Sequence, residues 1–441
     1  MVENRTLIAV AGMGFLLGSL TSGGAELAEA EWSKGAKLAT QFLDFGGPVY
    51  GYVDLDGVLE EALANAEGFV RMMDMGGELP SEMDLQAIFN ELGLGGIDLM
   101  GLSSIPKGDR YLNKSIVHLG QERRGIFSIP GGAPAEFSVL DLAPKGVDFF
   151  YEREFVLSSF FGALRNALEN FDEGVVADYE EALSQPLPIG MTVKELTGKM
   201  DGKMLFFGRF HSDERLQYPM DPRIEFPLFE VVVLIEGLDW IFDAIVSMAP
   251  PQMQQIVQGD RGSRVLQLPP IGPAAYEKIQ PTLIEDAENG RVVFTTSMEY
   301  WNEALGEGEK ARDGEELNLA VQDLPKKGNG FYYISGQASA EWANVVKSVL
   351  EALDEDGQVQ AGMFEFIEGI LNAGGSYEAG VQVNLEEGFY VVIDGDFSHR
   401  TAILLGPISA IATLATASFP AMNRVLREAR EAEAAGIESA E

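Results

Sequence analysis

The sequence predicts an α+β fold made of repeated modules: a strand, a long helix, a short helix, then antiparallel strands, with the helices packed on one sheet face. Three observations lead there. Asp323–Glu355 (DLPKKGNGFYYISGQASAEWANVVKSVLEALDE) lies without a gap on Asp141–Glu173 (DLAPKGVDFFYEREFVLSSFFGALRNALENFDE), with Asp141, Leu142, Lys145, Gly146, Phe149, Tyr151 and Leu168 recurring. Both copies run from a Lys- and Gly-bearing turn into an aromatic run, Phe149–Tyr151 or Phe331–Tyr333, as suits a half-buried strand. Both then show helical spacing, through Phe160, Phe161, Leu164 and Leu168 or through Trp342, Val345, Val346, Val349 and Leu350. A weaker third version, Pro48–Leu63, makes three modules: 46–140, 141–322 and 323–400.

In module one the strand leads into a helix over Val58–Met73, and Asp84–Leu92 reads as a second helix with Asp84 as N-cap and Gly93 as stop. Strands are expected at Leu99–Ile105, Ser115–Leu119 and Gly125–Ile129, joined by polar, Gly-bearing hairpin loops. In module two a long helix reaches Phe171, with shorter ones at Asp178–Leu183 and Thr192–Lys199. Lys203–Phe210 and Phe226–Glu236 are strands around a polar loop, and Leu238–Met248 is a helix ended by Pro250 and Pro251. Arg264–Leu268 and Arg291–Thr296 are further strands, and Ser297 caps a helix over Glu299–Leu305. Module three adds a second helix, Phe364–Leu371, and a hairpin of Tyr377–Leu385 with Phe389–Asp394. The pieces Asp323-Leu324-Pro325, Gly202–Phe207 and Asn289–Ser297 resemble, in kind and order, the strand signatures of an uncharacterised class of exported bacterial proteins. That resemblance implies the modular fold and export, and brings no site residues.

The two ends suggest a compartment. One Arg in MVENR precedes an uncharged core, Leu7–Leu20, and Ala28-Glu29-Ala30 offers a cleavage site, so residues 1–30 read as a signal peptide. Thr401–Met422 carries no charge and reaches about 33 Å as a helix, enough to cross a hydrocarbon core. Arg424, Arg427 and Arg430 follow it, as the positive-inside rule asks of a cytoplasmic flank. The competing reading packs the segment as a core helix, and 423–441 is a polar tail. The piece FPAMNRVLREAREAE also resembles the Pro-marked lower part of a type IV pilin stem helix. The expected location is the periplasm or cell envelope, with anchoring through 401–422.

Chemistry is sparse. The net charge of −38 opposes nucleic-acid backbones, and the absence of cysteine excludes disulfides, thiol nucleophiles and Cys-ligated metals. His118, His211 and His399 stand apart from one another, and no zinc-protease, nucleophile-elbow, dinucleotide or phosphate-loop motif occurs. Asp54-Leu55-Asp56-Gly57 and Asp354-Glu355-Asp356-Gly357 look like calcium loops, yet the bidentate Glu position falls on Leu63 or Met363. Asp54 and Asp56 are better explained as helix-start residues. No catalytic, cofactor-binding or metal-ligating residue is therefore singled out, and no cofactor is expected. Repetition favours a non-enzymatic cell-envelope binding or scaffolding protein, whose protein or small-molecule partner no motif specifies. The alternative is an extracytoplasmic hydrolase using a carboxylate pair, recognisable by one cleft that gathers polar residues from separate modules.

Overall fold

The computed structural model describes residues 33–58, 61–65, 84–171, 173–187, 190–199, 201–218, 221–238, 240–248, 256–258, 263–268, 279–355 and 375–400. The chain divides into two compact units. One is residues 27–396, to which everything below refers; the other comprises 1–26 and 397–441, of which only 397–400 are described. The expected signal peptide, the segment 401–422, the polar tail and the helix at 364–371 all lie outside the described residues.

The elements follow in chain order. Helix α1 (Lys34–Phe42), capped by Ser33, precedes β1 (Val49–Asp54); α2 (Leu85–Glu91), capped by Asp84, precedes the hairpin β2 (Ile97–Lys107) and β3 (Arg110–Leu119). A two-residue strand β4 (Ala135–Glu136) and the turn α3 (Val139–Leu142) lead to β5 (Phe149–Val156). Next come α4 (Leu157–Glu169), α5 (Glu173–Leu183), α6 (Val193–Thr197), then β6 (Asp201–Tyr218) and β7 (Asp221–Glu236). Helix α7 (Trp240–Met248) precedes β8 (Ile256–Gln258), β9 (Arg264–Gln267), β10 (Thr282–Asp286) and β11 (Arg291–Thr295). Helices α8 (Met298–Leu305) and α9 (Glu315–Ala320) lead to β12 (Lys327–Gly328) and β13 (Gly330–Ile334). Helix α10 (Gly336–Glu355) and the hairpin β14 (Glu378–Leu385) and β15 (Gly388–Gly395) complete the series.

These strands overturn the expected α+β array of repeated strand–helix modules. Thirteen of them form one antiparallel sheet in the order β1-β2-β3-β15-β14-β13-β5-β6-β7-β11-β10-β9-β8, and only β4 and β12 stand aside as a separate ribbon. No segment closes its own sheet: β3 of the first takes β15 of the third as neighbour, and β5 of the second takes β13 of the third. A hairpin leaves its outer edges unpaired, and here those edges are satisfied by strands from distant segments. Locally, three further expectations give way. Gly125–Ser128 is a 3-10 turn, because Gly125 has φ +58°, not an extended backbone. Residues 211–218 and 221–225, read from the sequence as part of a polar loop, continue the β6–β7 ladder past a bulge at His211/Arg215, and Leu216 and Leu228 pack on Ile279. Strand β10 was not expected, and its Ile284 lies in the main core.

One face of the sheet carries that core. Phe150, Phe207, Val232, Val293, Phe331, Val381 and Val392 alternate inward along their strands and meet Val139, Tyr300, Trp301, Leu317 and Ala320 from α3, α8 and α9. Towards β1 the same face is covered by α1 through Ala39 and Leu43. On the opposite face, α7 sets Phe242 on Leu266, Leu283 and Val292. Helix α10 follows β7 and is tied to β6 by the Arg215–Glu341 ion pair at 2.7 Å.

Counted outward from the central β5–β13 pair, the two sides have matching order: β6, β7, β11, β10, β9 on one, and β14, β15, β3, β2, β1 on the other. Side-chain bonds match too. Asp148 N–H donates to Gly208 O (2.9 Å) while its Oδ2 accepts from Phe210 N–H (2.7 Å). Asn329 N–H donates to Gln382 O (2.8 Å) while its Oδ1 accepts from Asn384 N–H (3.0 Å). This correspondence turns about the cross-strand pair Tyr151↔Tyr332 and sets Phe150 opposite Phe331 in role. The sequence alignment had paired Phe149 with Phe331. Because side chains alternate faces, that one-residue difference puts Phe149 on the other side of the sheet, with Phe206 and Phe210. Truncation separates the two faces. Phe331→Ala and Phe150→Ala, each 2% exposed, should cost about 3–5 kcal/mol in urea unfolding, and half-buried Phe149→Ala roughly half that. Equal losses at Phe149 and Phe331 would contradict the assignment.

Candidate functional site

A cleft of about 530 Å³ opens on the core side, where β5 and β7 end and β6 begins. A volume of this size suits a small organic ligand. Strand β5 presents Glu152 and Glu154 to the same face, β6 opens with Asp201-Gly202-Lys203, and β7 closes with Glu236-Gly237. Gly202 is required there, since a Cβ would stand 2.0 Å from Glu236 O. The β4–β12 ribbon, with Ala135 opposite Gly328, supplies the far wall.

Strand register sets four charges in one row: Glu154↔Lys203↔Glu236↔Arg291. Neighbours of opposite sign ordinarily pair, but both cations turn elsewhere. Lys203 Nζ forms an ion pair with Glu152 and donates to Ser138 Oγ (2.7 Å). Arg291 Nε donates to Asp286 Oδ2 (2.8 Å), and its guanidinium lies over Trp301. Glu236, half-buried, is left with no side-chain partner among the described residues.

The other carboxylates are held. Glu152, 3% exposed, accepts from Val139 N–H (2.7 Å) and Ser138 N–H (3.2 Å) at the start of α3. Asp201 accepts from the amide (2.9 Å) and hydroxyl of Ser158 in the first turn of α4. Glu154 accepts from Gly132 N–H (3.3 Å) and Asn329 Nδ2 (3.5 Å). The loop behind it, 130–133, has its carbonyls taken up by three side chains. Asn384 Nδ2 donates to Pro130 O, Gly131 O and Gly132 O, Asn329 Nδ2 to Gly132 O and Ala133 O, and Arg123 to Gly131 O and Gly132 O. Burial pulls the Arg123 guanidinium below its ordinary pKa, against the opposing charge of Glu154. Buried amides and a guanidinium spent on one glycine-rich loop fix that wall of the cleft.

The matching place in the other half of the sheet is filled. Following the strand correspondence, Tyr333 stands where Glu152 does, Tyr377 where Lys203 does, Asp396 where Glu236 does, and Arg110 where Arg291 does. Here the arginine does reach the carboxylate. Arg110 donates to Asp396 Oδ1 (2.8 Å) and Asp394 Oδ1 (2.7 Å), and its guanidinium lies 3.8 Å from the centre of the Tyr377 ring. Asp396 also accepts from Gly375 N–H (3.1 Å) and from the amide (3.0 Å) and hydroxyl of Ser376. Burial pushes the Asp396 carboxyl up, but the Ser376 and Gly375 donors and the Arg110 charge outweigh it and leave the pKa below the ordinary aspartate value.

Among the residues weighed in the sequence, none lines the cleft. His118 lies 3.3 Å from Glu387, and His211 Nε2 lies 3.0 Å from Glu230 Oε2. Glu230 also accepts from Ser297 Oγ (2.6 Å) and Arg209 Nε (2.6 Å). That serine caps α8 through Tyr300 N–H, so the cluster is a structural junction, not a nucleophile with its base. Asp54 Oδ1 accepts from Asp56 N–H (3.3 Å) in a turn, while Asp356 and Gly357 lie outside the described residues. No group of three or more metal-ligating side chains converges among the described residues. One sequence signal for the cleft did exist: in Tyr151–Phe155 (YEREF) two glutamates sit two apart on a strand, hence on one face. Nothing in it said that this face was inward.

No family model, curated protein or solved structure matches the chain.

The lowered Asp396 pKa fixes a pH dependence. Its contribution to stability is complete above the unfolded aspartate value, about 3.9, and fades as pH falls from there through the lower folded value. Asp396→Asn should therefore be less stable than wild type at neutral pH, with a gap that narrows in acid. Urea unfolding of both proteins across that range measures it; a gap independent of pH would contradict the Arg110–Asp396 account.

Proposed function

We propose that the protein is a non-enzymatic binding protein of the cell envelope, with the cleft of β5, β6 and β7 as its ligand site. The observation that carries this reading is the fixity of the cleft's polar groups. Glu152, Glu154 and Asp201 each accept from backbone and side-chain donors, and the 130–133 wall is pinned from three sides. Preorganised groups of this kind suit recognition, because little side-chain entropy remains to be lost on binding. They suit proton transfer less. Lys203 Nζ lies within reach of Ser138 Oγ, but that nitrogen is already a donor to Glu152 and to the hydroxyl, where a base would have to accept. The envelope location rests on the ordered charge, apolar core and cleavage elements of residues 1–30 and on the uncharged stretch 401–422. Among the described residues no helix is long and apolar enough to cross a membrane.

One observation favours the hydrolase alternative. The cleft gathers polar residues from all three sequence segments, Glu136, Glu152 to Glu236, and Asn329, as an active site would. Glu154 and Glu236, flanking Lys203, would then be the carboxylate pair.

Thermal-shift screening of small amines, guanidines, sugars, organic acids and phosphates, run beside chromogenic glycoside and ester assays, separates the two. At least one class should raise the melting temperature, the shift should vanish when exposed Ala135 is replaced by Phe to fill the cleft, and no substrate should turn over. Turnover abolished by Glu154→Gln and by Glu236→Gln would replace binding with hydrolysis. For the location, N-terminal sequencing of the protein from its native host should begin near Glu31; an intact Met1 form in the cytoplasm would remove the envelope assignment.

A further inference from the structure

The two halves of the sheet put the same carboxylate position to different ends. Asp396 is closed by an arginine from the adjoining hairpin, whereas Glu236, its counterpart, is open to the cleft. The difference lies in the hairpins. On the β2–β3 side, Lys107 stands where β10–β11 has Asp286, so Arg110 has no acid on its own hairpin at that position and reaches across to Asp394 and Asp396. On the β10–β11 side, Asp286 captures Arg291 and draws it away from Glu236. Size changes in step: Tyr333 and Tyr377 stand where the cleft has Glu152 and Lys203, and the Arg110 guanidinium rests on the Tyr377 ring.

We infer that the cleft receives the guanidinium or ammonium group of a small organic cation, with Glu236 as its principal acceptor. The proposal rests on the cleft being the ligand site. It takes Arg110 as the protein's own example of the occupant, a guanidinium on the carboxylate at the corresponding position. The rest of the lining agrees. Glu154 and Asp201 add negative charge beside Glu236, and the one cation among the described lining residues, Lys203, is turned to Glu152. An organic cation fits better than a metal ion, since no metal-ligand cluster converges among the described residues. A desolvated carboxylate facing such a group forms a charge-assisted hydrogen bond, among the stronger polar contacts available.

Isothermal titration calorimetry on the full chain at low salt tests this, with the Nα-acetylated forms of argininamide and lysinamide as cationic probes and Nα-acetylated citrullinamide, which has no α-ammonium, as the uncharged mimic of the first. The two cations should bind and the uncharged mimic should not, and Glu236→Gln should weaken the cations about tenfold or more while leaving the melting temperature of the free protein unchanged. Asp286→Ala, which frees Arg291 to take Glu236, should weaken them as well. Equal binding of the uncharged mimic, no effect of Glu236→Gln, or no binding of either cation would each overturn the inference. If the cations fail while another ligand class still gives a melting shift that Ala135→Phe removes, the cleft remains the ligand site and only its preference for a cation falls. If cations bind with unchanged affinity to both Glu236→Gln and Ala135→Phe, the cleft itself is not the site.

Discussion

The antiparallel ladder between β5 and β13 is the constraint on which the rest depends. It runs from Phe149↔Ile334 to Arg153↔Gly330 and joins strands far apart in the chain. The flanking pairs Asp148–Ser335 and Glu154–Asn329 extend it by backbone bonds of 2.6 and 3.2 Å. Each strand brings its own following hairpin, so once this pair forms the sheet can grow outward on both sides. The edges of those hairpins then take up β3 and β11, which keeps backbone groups from being buried unpaired. Register at the centre is enforced by burial: a one-residue slip would turn Phe150, Phe331 and Tyr333 out of the core and bring Phe149 and Tyr332 into it.

The same ladder builds the cleft. Asn329 precedes β13, and its side chain holds the 130–133 loop while its carbonyl accepts from Glu154 N–H. Glu152, two residues before, caps α3 from a position that is 3% exposed. Charged and amide side chains so deeply placed are costly unless every group is satisfied, and these largely are, by main-chain groups rather than solvent. The exception is Glu236. A carboxylate unpaired among the described residues, between a lysine and an arginine that both point elsewhere, is the one place in this row where electrostatic pairing was available and not made. That gap gives the cleft its acidic character, within a protein whose net charge of −38 already favours the approach of cations.

Corresponding positions in the two halves show how few changes separate a packed junction from a cleft. Tyr377 supplies a ring on which Arg110 stacks, while Lys203 at the same place supplies a charge that Glu152 absorbs. Bulk fills the first position. In the second, glycines at 202 and 237 line the open space. A structural ion pair and an open cleft can thus be built from one backbone arrangement, with the sign and length of the hairpin residues deciding which.

Much of the local structure was legible in the chain itself. Asp84 and Ser297 cap their helices through their own side chains, and the aromatic and β-branched runs at 149–151, 203–210, 226–236 and 377–394 are strands, because these choices depend on neighbours in sequence. The similarity of 141–173 to 323–355 marked the two segments that meet at the centre of the sheet. What the sequence left open was which strand pairs with which, since a hairpin edge carries no label for its partner. Without that pairing, three modules and one sheet fit the same pattern, and the alignment of Phe149 with Phe331 could not reveal a change of face. The cleft was hidden for the same reason. Glu152, Glu154, Lys203 and Glu236 come together only through the β5–β6–β7 register, and Glu236 becomes an open acceptor only because Asp286, distant in sequence, takes the arginine beside it. Sequence determined most of the helices and strands and the alternation along them; tertiary pairing decided which charges meet and which one is left facing the cleft.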